Sequence, residues 1–214
     1  MATRYQAAPG DTLRSVALAF YGDAAMSAAL AAANGMTGCG QLADGQMLVI
    51  PYITQRHTVG VGETLFELAE LYYGNGAMFP VLAAANHIEP PYLTVPGHRL
   101  LIPDLVHVSR HTVYPGDNLR TFAVRWYNDE QCYPIIEYAN HLAAPTDIEV
   151  GQVLVRPGLN RRHTVEPGET WTQLSQWWYG DPSLAALIAV ANDLVIEQVP
   201  PAGRTLYFPD LAEF

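Results

Sequence analysis

Seven histidines, 21 acidic residues and two cysteines are the side chains of this 214-residue chain that could do chemistry. Metal binding and acid–base hydrolysis are the reactions such residues serve, and spacing separates the two. His57, His111 and His163 each open the same tripeptide, "HTV", while His87 and His141 each follow an "AN" pair. Residues at equivalent places in separate repeats are held apart and do not converge on one ion. No Cys-x-x-Cys or His-Glu-x-x-His spacing occurs, so no metal and no cofactor is expected. Cys39 and Cys132 sit at unrelated places and suggest no disulfide framework. Paired carboxylates could hydrolyse a glycosidic bond, but only inside a cleft that encloses it. Whether the chain can build such a cleft depends on the elements around these residues.

Those elements recur four times in one frame. A turn glycine falls at Gly10, Gly62, Gly116 and Gly168. At a constant offset stand Gly22, Gly74, Asn128 and Gly180, then Asn34, Asn86, Asn140 and Asn192, and finally Pro51, Pro103, Pro157 and Pro209. The repeats therefore span 5–51, 57–103, 111–157 and 163–209, joined by linkers 52–56, 104–110 and 158–162. They leave only short tails and linkers, with no room for a further catalytic domain.

Each repeat begins with a short β-prone stretch. A glycine turn comes next, then an acidic residue and Thr12, Thr64, Asn118 or Thr170, which suit a helix N-terminus. Thr64 with Glu67 and Thr170 with Gln173 match the capping box; repeats one and three do not. Apolar residues then recur at i, i+3, i+4, i+7, as in Leu13, Val16, Ala17 and Phe20, predicting an amphipathic helix. Gly22 and its counterparts suit a left-handed C-cap. Asp23, Asn75, Asp129 and Asp181 suit the N-cap of a second helix, with Pro182 just inside it. Met26, Leu30 and Ala33 form the buried stripe of that helix, and Cys132 stands where Met26 does, as a core residue. A closing strand such as "QMLVIP" completes the order β-α-α-β. The fold class is α+β: four tandem units, each a two-stranded antiparallel sheet with two helices on one face.

The stretch "YQAAPGDTLRSVALAFYGD", then "AAANG", then "LADGQMLVIP" resembles the LysM family, and the resemblance extends over nearly the whole chain. It implies a non-catalytic βααβ module that binds N-acetylglucosamine glycans such as peptidoglycan or chitin. It also implies a shallow groove between the loop after strand one and the loop before strand two. The first loop supplies Gly10, Asp11 and Thr12; Gly62, Glu63 and Thr64; Gly116, Asp117 and Asn118; and Gly168, Glu169 and Thr170. The second supplies Met36, Ile88, Leu142 and Leu194. Backbone groups would pair with the sugar's amide and an apolar side chain would cover its methyl. As helix caps, the acidic and Thr positions are equally accounted for, and Met36 and its copies could simply close the core. Repeat three departs most, with Asn118, Asn128 and Arg156. "WTQLSQWWYG" holds three of the four tryptophans; Trp177 falls off the buried stripe and is a candidate contact for sugar or protein.

The formal charge is −10, and all eleven basic residues are Arg. Such a surface repels phosphate backbones, so nucleic acid is not an expected partner. No apolar run approaches the roughly 20 residues needed to span a bilayer. The N-terminal stretch shows no secretory leader. The resulting expectation is a non-enzymatic component of a phage tail, baseplate or related injection machine, assembled in the host cytoplasm. Its partners would be other virion proteins, with peptidoglycan as a second contact. The alternative is a wall-anchoring protein that binds peptidoglycan or chitin; a cytosolic LysM protein is a minor third. The short, partly apolar linkers predict that the repeats lean on one another.

Overall fold

The computed structural model describes residues 2–38 and 40–211, so Cys39 lies outside the described residues. Each repeat begins with a strand: β1 (Thr3–Gln6), β3 (Gln55–Thr58), β5 (Asp104–Thr112) and β7 (Arg161–Thr164). The first helices are α1 (Leu13–Tyr21), α3 (Leu65–Tyr73), α5 (Leu119–Tyr127) and α7 (Trp171–Tyr179). The second are α2 (Ser27–Ala33), α4 (Phe79–Ala85), α6 (Tyr133–Ala139) and α8 (Ala185–Ala191). The closing strands are β2 (Met47–Ile50), β4 (Arg99–Ile102), β6 (Val153–Gly158) and β8 (Thr205–Phe208). They form four separate two-stranded antiparallel sheets, β1-β2, β3-β4, β5-β6 and β7-β8. Register is the same throughout: Tyr5 faces Leu48, His57 faces Leu100, His111 faces Leu154 and His163 faces Leu206.

The caps arise from local chemistry. Thr12, Thr64 and Thr170 each accept from the N–H three residues on, and Asn118 does the same for Thr121. Repeat one departs from expectation: Ser15 Oγ accepts from the Thr12 N–H at 3.0 Å and closes a capping box with Ser in place of Glu. Each first helix ends on a left-handed residue, Gly22 at φ 69°, Gly74 at 65°, Asn128 at 57° and Gly180 at 71°. Asp23, Asn75, Asp129 and Asp181 cap the next element, which starts as one tight 3-10 turn before becoming the second α-helix. The expected stripe holds in part: Leu13, Val16 and Ala17 are buried, while Phe20 is exposed.

Two side chains tie each repeat together over long sequence distances. The tyrosine before the C-cap donates its hydroxyl to the closing proline's carbonyl: Tyr21 to Pro51, Tyr73 to Pro103, Tyr127 to Pro157 and Tyr179 to Pro209, at 2.9–3.2 Å. The asparagine after helix two bridges that helix to the second strand. Asn34 donates to the Leu30 and Val49 carbonyls and accepts from the Val49 N–H, each at 2.8 Å. Asn86, Asn140 and Asn192 repeat all three bonds. One amide thus satisfies a helix C-terminus and a strand edge together.

The repeats associate in nested order, not in chain order. Residues 1–53 and 160–214 make one compact unit, and residues 54–159 make the other. Within the first, α2 packs on α8; within the second, α4 packs on α6. Leu30 faces its own core, yet Ala29, one residue earlier, is also fully buried, as are Val81, Ile135 and Leu187 at the equivalent position. A residue about 100° around the helix from the core stripe is buried by a neighbouring helix. The first unit is further joined by reciprocal backbone bonds between Tyr52 and Asp210, and by Asn160 Nδ2 donating to the Tyr52 carbonyl at 2.9 Å. Linkers also prove more regular than expected: 104–110 belongs to β5, whose Asp104 pairs with Gly158 across an irregularity in register.

Candidate glycan-binding site

The loop after strand one is a tight turn built by its acidic residue. Asp11 accepts from the Ala8 N–H at 2.8 Å and from the Tyr5 hydroxyl at 2.7 Å. In the other repeats the strand residue is histidine. His57 Nε2 meets Glu63 at 2.7 Å, His111 meets Asp117 at 3.3 Å and His163 meets Glu169 at 2.8 Å. Each carboxylate also takes the backbone N–H three residues back, from Gly60, Tyr114 or Glu166. This is the role of the "HTV" histidines: each belongs to one turn, inside one repeat.

These contacts hold the carboxyls ionised. The Tyr5 hydroxyl, then the Ala8 N–H, lowers the pKa of Asp11 below its ordinary value. His57, then the Gly60 N–H, does so for Glu63. The Tyr114 N–H and then His111 lower that of Asp117. Burial opposes the shift at Glu169, but His163 and the Glu166 N–H outweigh it. Carboxylates engaged in such bonds are poor proton donors near neutral pH.

The second loop closes against the first. In repeat one the Leu42 N–H donates to the Asp11 carbonyl at 3.0 Å, and Thr12 bridges Gln41. In repeat two the Thr94 hydroxyl donates to the Glu63 carbonyl, and in repeat four the Trp171 indole donates to the Gln198 carbonyl. Gly10, Gly62, Gly116 and Gly168 are exposed with φ between 82° and 91°. An added Cβ there would meet no atom within 4 Å, so open space lies above the backbone. Met36, Ile88, Leu142 and Leu194 are half-buried; Met36, Ile88 and Leu194 also pack on their own cores. The antiparallel pairing puts the start of loop one and the entry of strand two at the same end of each sheet. The side chains of Thr12, Thr64, Asn118 and Thr170 are engaged as caps.

Some surface residues have no counterpart in the sequence reading. Repeat two carries Val61 on its first loop, 94% exposed, where the other repeats have proline. Its second loop adds Leu93, 73% exposed. The sequence shows a valine at 61 where the other repeats have proline, but not the exposure of either side chain. Trp177 is exposed and meets the His163 ring edge-on at 5.3 Å between centroids.

The LysM domain family model matches residues 5–51, 57–103 and 111–157. The chain belongs to the LysM family. LysM modules bind peptidoglycan and related N-acetylglucosamine glycans. This LysM chain is 41% identical over 155 residues to an esterase of Mycobacterium tuberculosis strain CDC 1551 / Oshkosh, and equally to an esterase of strain H37Rv. The match covers 72% of this chain but 33% of each esterase. Among solved structures it is similar to the spore cortex-lytic enzyme SleL of Bacillus megaterium QM B1551, at 31% identity and TM-score 0.23, and to that of Bacillus cereus, at 27% and 0.22. Each covers 48% of this chain and 22% of the other. Among the described residues no helix is long and apolar enough to cross a membrane.

Proposed function

We propose that this chain is a non-enzymatic LysM array that holds a partner, or itself, to wall glycan through grooves between loops one and two. The observation that carries the reading is that every repeat keeps an exposed glycine on loop one and a half-buried apolar residue on loop two. The glycine edge leaves backbone groups open to the acetamide, and the floor suits its methyl. We read 163–209 as a fourth LysM module, because it keeps the anchor offsets and the βααβ order. The absence of catalysis is supported by the fate of the four loop carboxylates, which are consumed by internal hydrogen bonds. Repeat two is the strongest groove, because Val61 and Leu93 add apolar surface beside it.

A more specific setting is a phage tail, baseplate or injection machine, with the chain a virion component assembled in the host cytoplasm. Its support is the nested pairing of repeats and the linker absorbed into β5, which favour a locked assembly piece over a flexible tether. Sedimentation with insoluble peptidoglycan or chitin tests the first reading. Depletion from the supernatant, reversed by soluble chito-oligosaccharide, is expected. Protein that stays soluble at every glycan load contradicts it, and a defined homo-oligomer under those conditions would favour the scaffold.

A further inference from the structure

Within the compact unit 54–159, three metal-ligating side chains from two repeats meet. His87, at the end of α4, places Nε2 2.8 Å from Asp129 Oδ2. Cys132 Sγ lies 3.6 Å from the same oxygen. One donor atom from each residue falls within 4.8 Å of the others, the one such group among the described residues. Asp129 and Cys132 lie at the corner before α6, while His87 immediately precedes Ile88 of the second loop of repeat two.

We propose that His87, Asp129 and Cys132 bind one borderline-soft divalent cation, Zn(II) or its spectroscopic substitute Co(II), across the joint between repeats two and three. Imidazole, carboxylate and thiolate form a donor set suited to zinc. Tetrahedral bonds of about 2.0–2.3 Å set the donors roughly 3.5 Å apart. The His–Asp contact, at 2.8 Å, must open by about 0.7 Å, and the widest pair, within 4.8 Å, must close by up to about 1.3 Å. The exposed ring of His87 can make that adjustment by side-chain rotation. Asp129 is already oriented, because its Oδ1 accepts from the Gln131 N–H at 2.9 Å. Cys132 is fully buried, so the thiol supplies the inner wall. His87 is exposed, so the fourth position opens to water.

The proton balance is simple. The thiol releases its proton to solvent, neutral His87 keeps its own on Nδ1, and Asp129 binds as carboxylate. No redox partner is needed. The site is particular to this joint. Where repeat three has Cys132, the others have Met26, Met78 and Leu184, so the thiolate recurs nowhere in the frame. No sequence spacing links 87 with 129 and 132; the nested pairing makes the neighbourhood.

The test uses the full chain under a non-thiol reductant, titrated with Co(II) and then Zn(II). One equivalent of Co(II) should give a thiolate-to-cobalt charge-transfer band, which Zn(II) abolishes by displacement. The band should persist in Cys39→Ser and vanish in Cys132→Ala and in His87→Ala. Zn(II) should raise the melting temperature of the wild type but not of His87→Ala, whose exposed side chain can be removed without disturbing the core. No band in the wild type, or a band that survives Cys132→Ala or His87→Ala, overturns the proposal.

Discussion

At the scale of single residues, the turn chemistry is strict where the backbone demands it. Gly180 sits at φ 71°, and an added Cβ would touch nothing within 4 Å, so a Cβ there costs backbone strain and no clash. Repeat three holds Asn128 at the same place with φ 57°. Gly180→Val should therefore cost about 1–2 kcal/mol in urea unfolding, while Gly180→Asn should be nearly neutral; equal effects of the two would refute the strain argument. The loop carboxylates set an acid limit. Asp11, Glu63, Asp117 and Glu169 all have lowered folded-state pKa values. Their stabilisation is complete above the unfolded carboxylate pKa of about 4 and is lost as pH falls through the folded values. Melting temperature should thus hold steady down to about pH 5 and drop below about pH 4. Glu63→Gln should lower it above that range and flatten the slope within it.

At the scale of elements, what was legible in the sequence was what depends on near neighbours. The stripe Leu13, Val16, Ala17 and the αL glycines lie within one helix or its cap, so local spacing suffices to place them. The capping box of repeat one escaped because Ser15 is shorter than the Glu or Gln of the motif, yet it reaches the same N–H. Asn34 and its copies read as helix ends. Their bond to a strand residue fifteen positions on depends on how helix two packs, which no local pattern carries. Asn192 is the most buried of the four, 3% exposed. Asn192→Ala removes the partner of the Tyr207 N–H and of two carbonyls. It should cost about 1–3 kcal/mol in denaturant unfolding. A variant as stable as the parent would mean that the bridge does not hold β8 to α8.

At the scale of the whole molecule, the pairing of repeats was not legible, because Ala29, Val81, Ile135 and Leu187 look like ordinary helix residues until a second helix covers them. The same holds for the groove rims: Val61 and Leu93 differ from their neighbours by exposure, which sequence alone does not report. Nesting makes the middle pair contiguous in the chain. Residues 54–159 expressed alone should unfold cooperatively by calorimetry, whereas residues 1–110, two repeats each parted from its partner, should not. A small domain near the size limit for a single core needs such a neighbour. A stable 1–110 fragment would show that chain-adjacent repeats support each other instead. The central claim, that loops one and two form a glycan groove, is tested most directly by nuclear magnetic resonance titration of the 54–159 pair with an N-acetylglucosamine oligosaccharide. The amide shifts should concentrate at Gly62, Glu63, Thr64, Val61 and the segment from Ile88 to Val95. Shifts confined to the sheet or the α4–α6 joint, or none at saturating sugar, would contradict it.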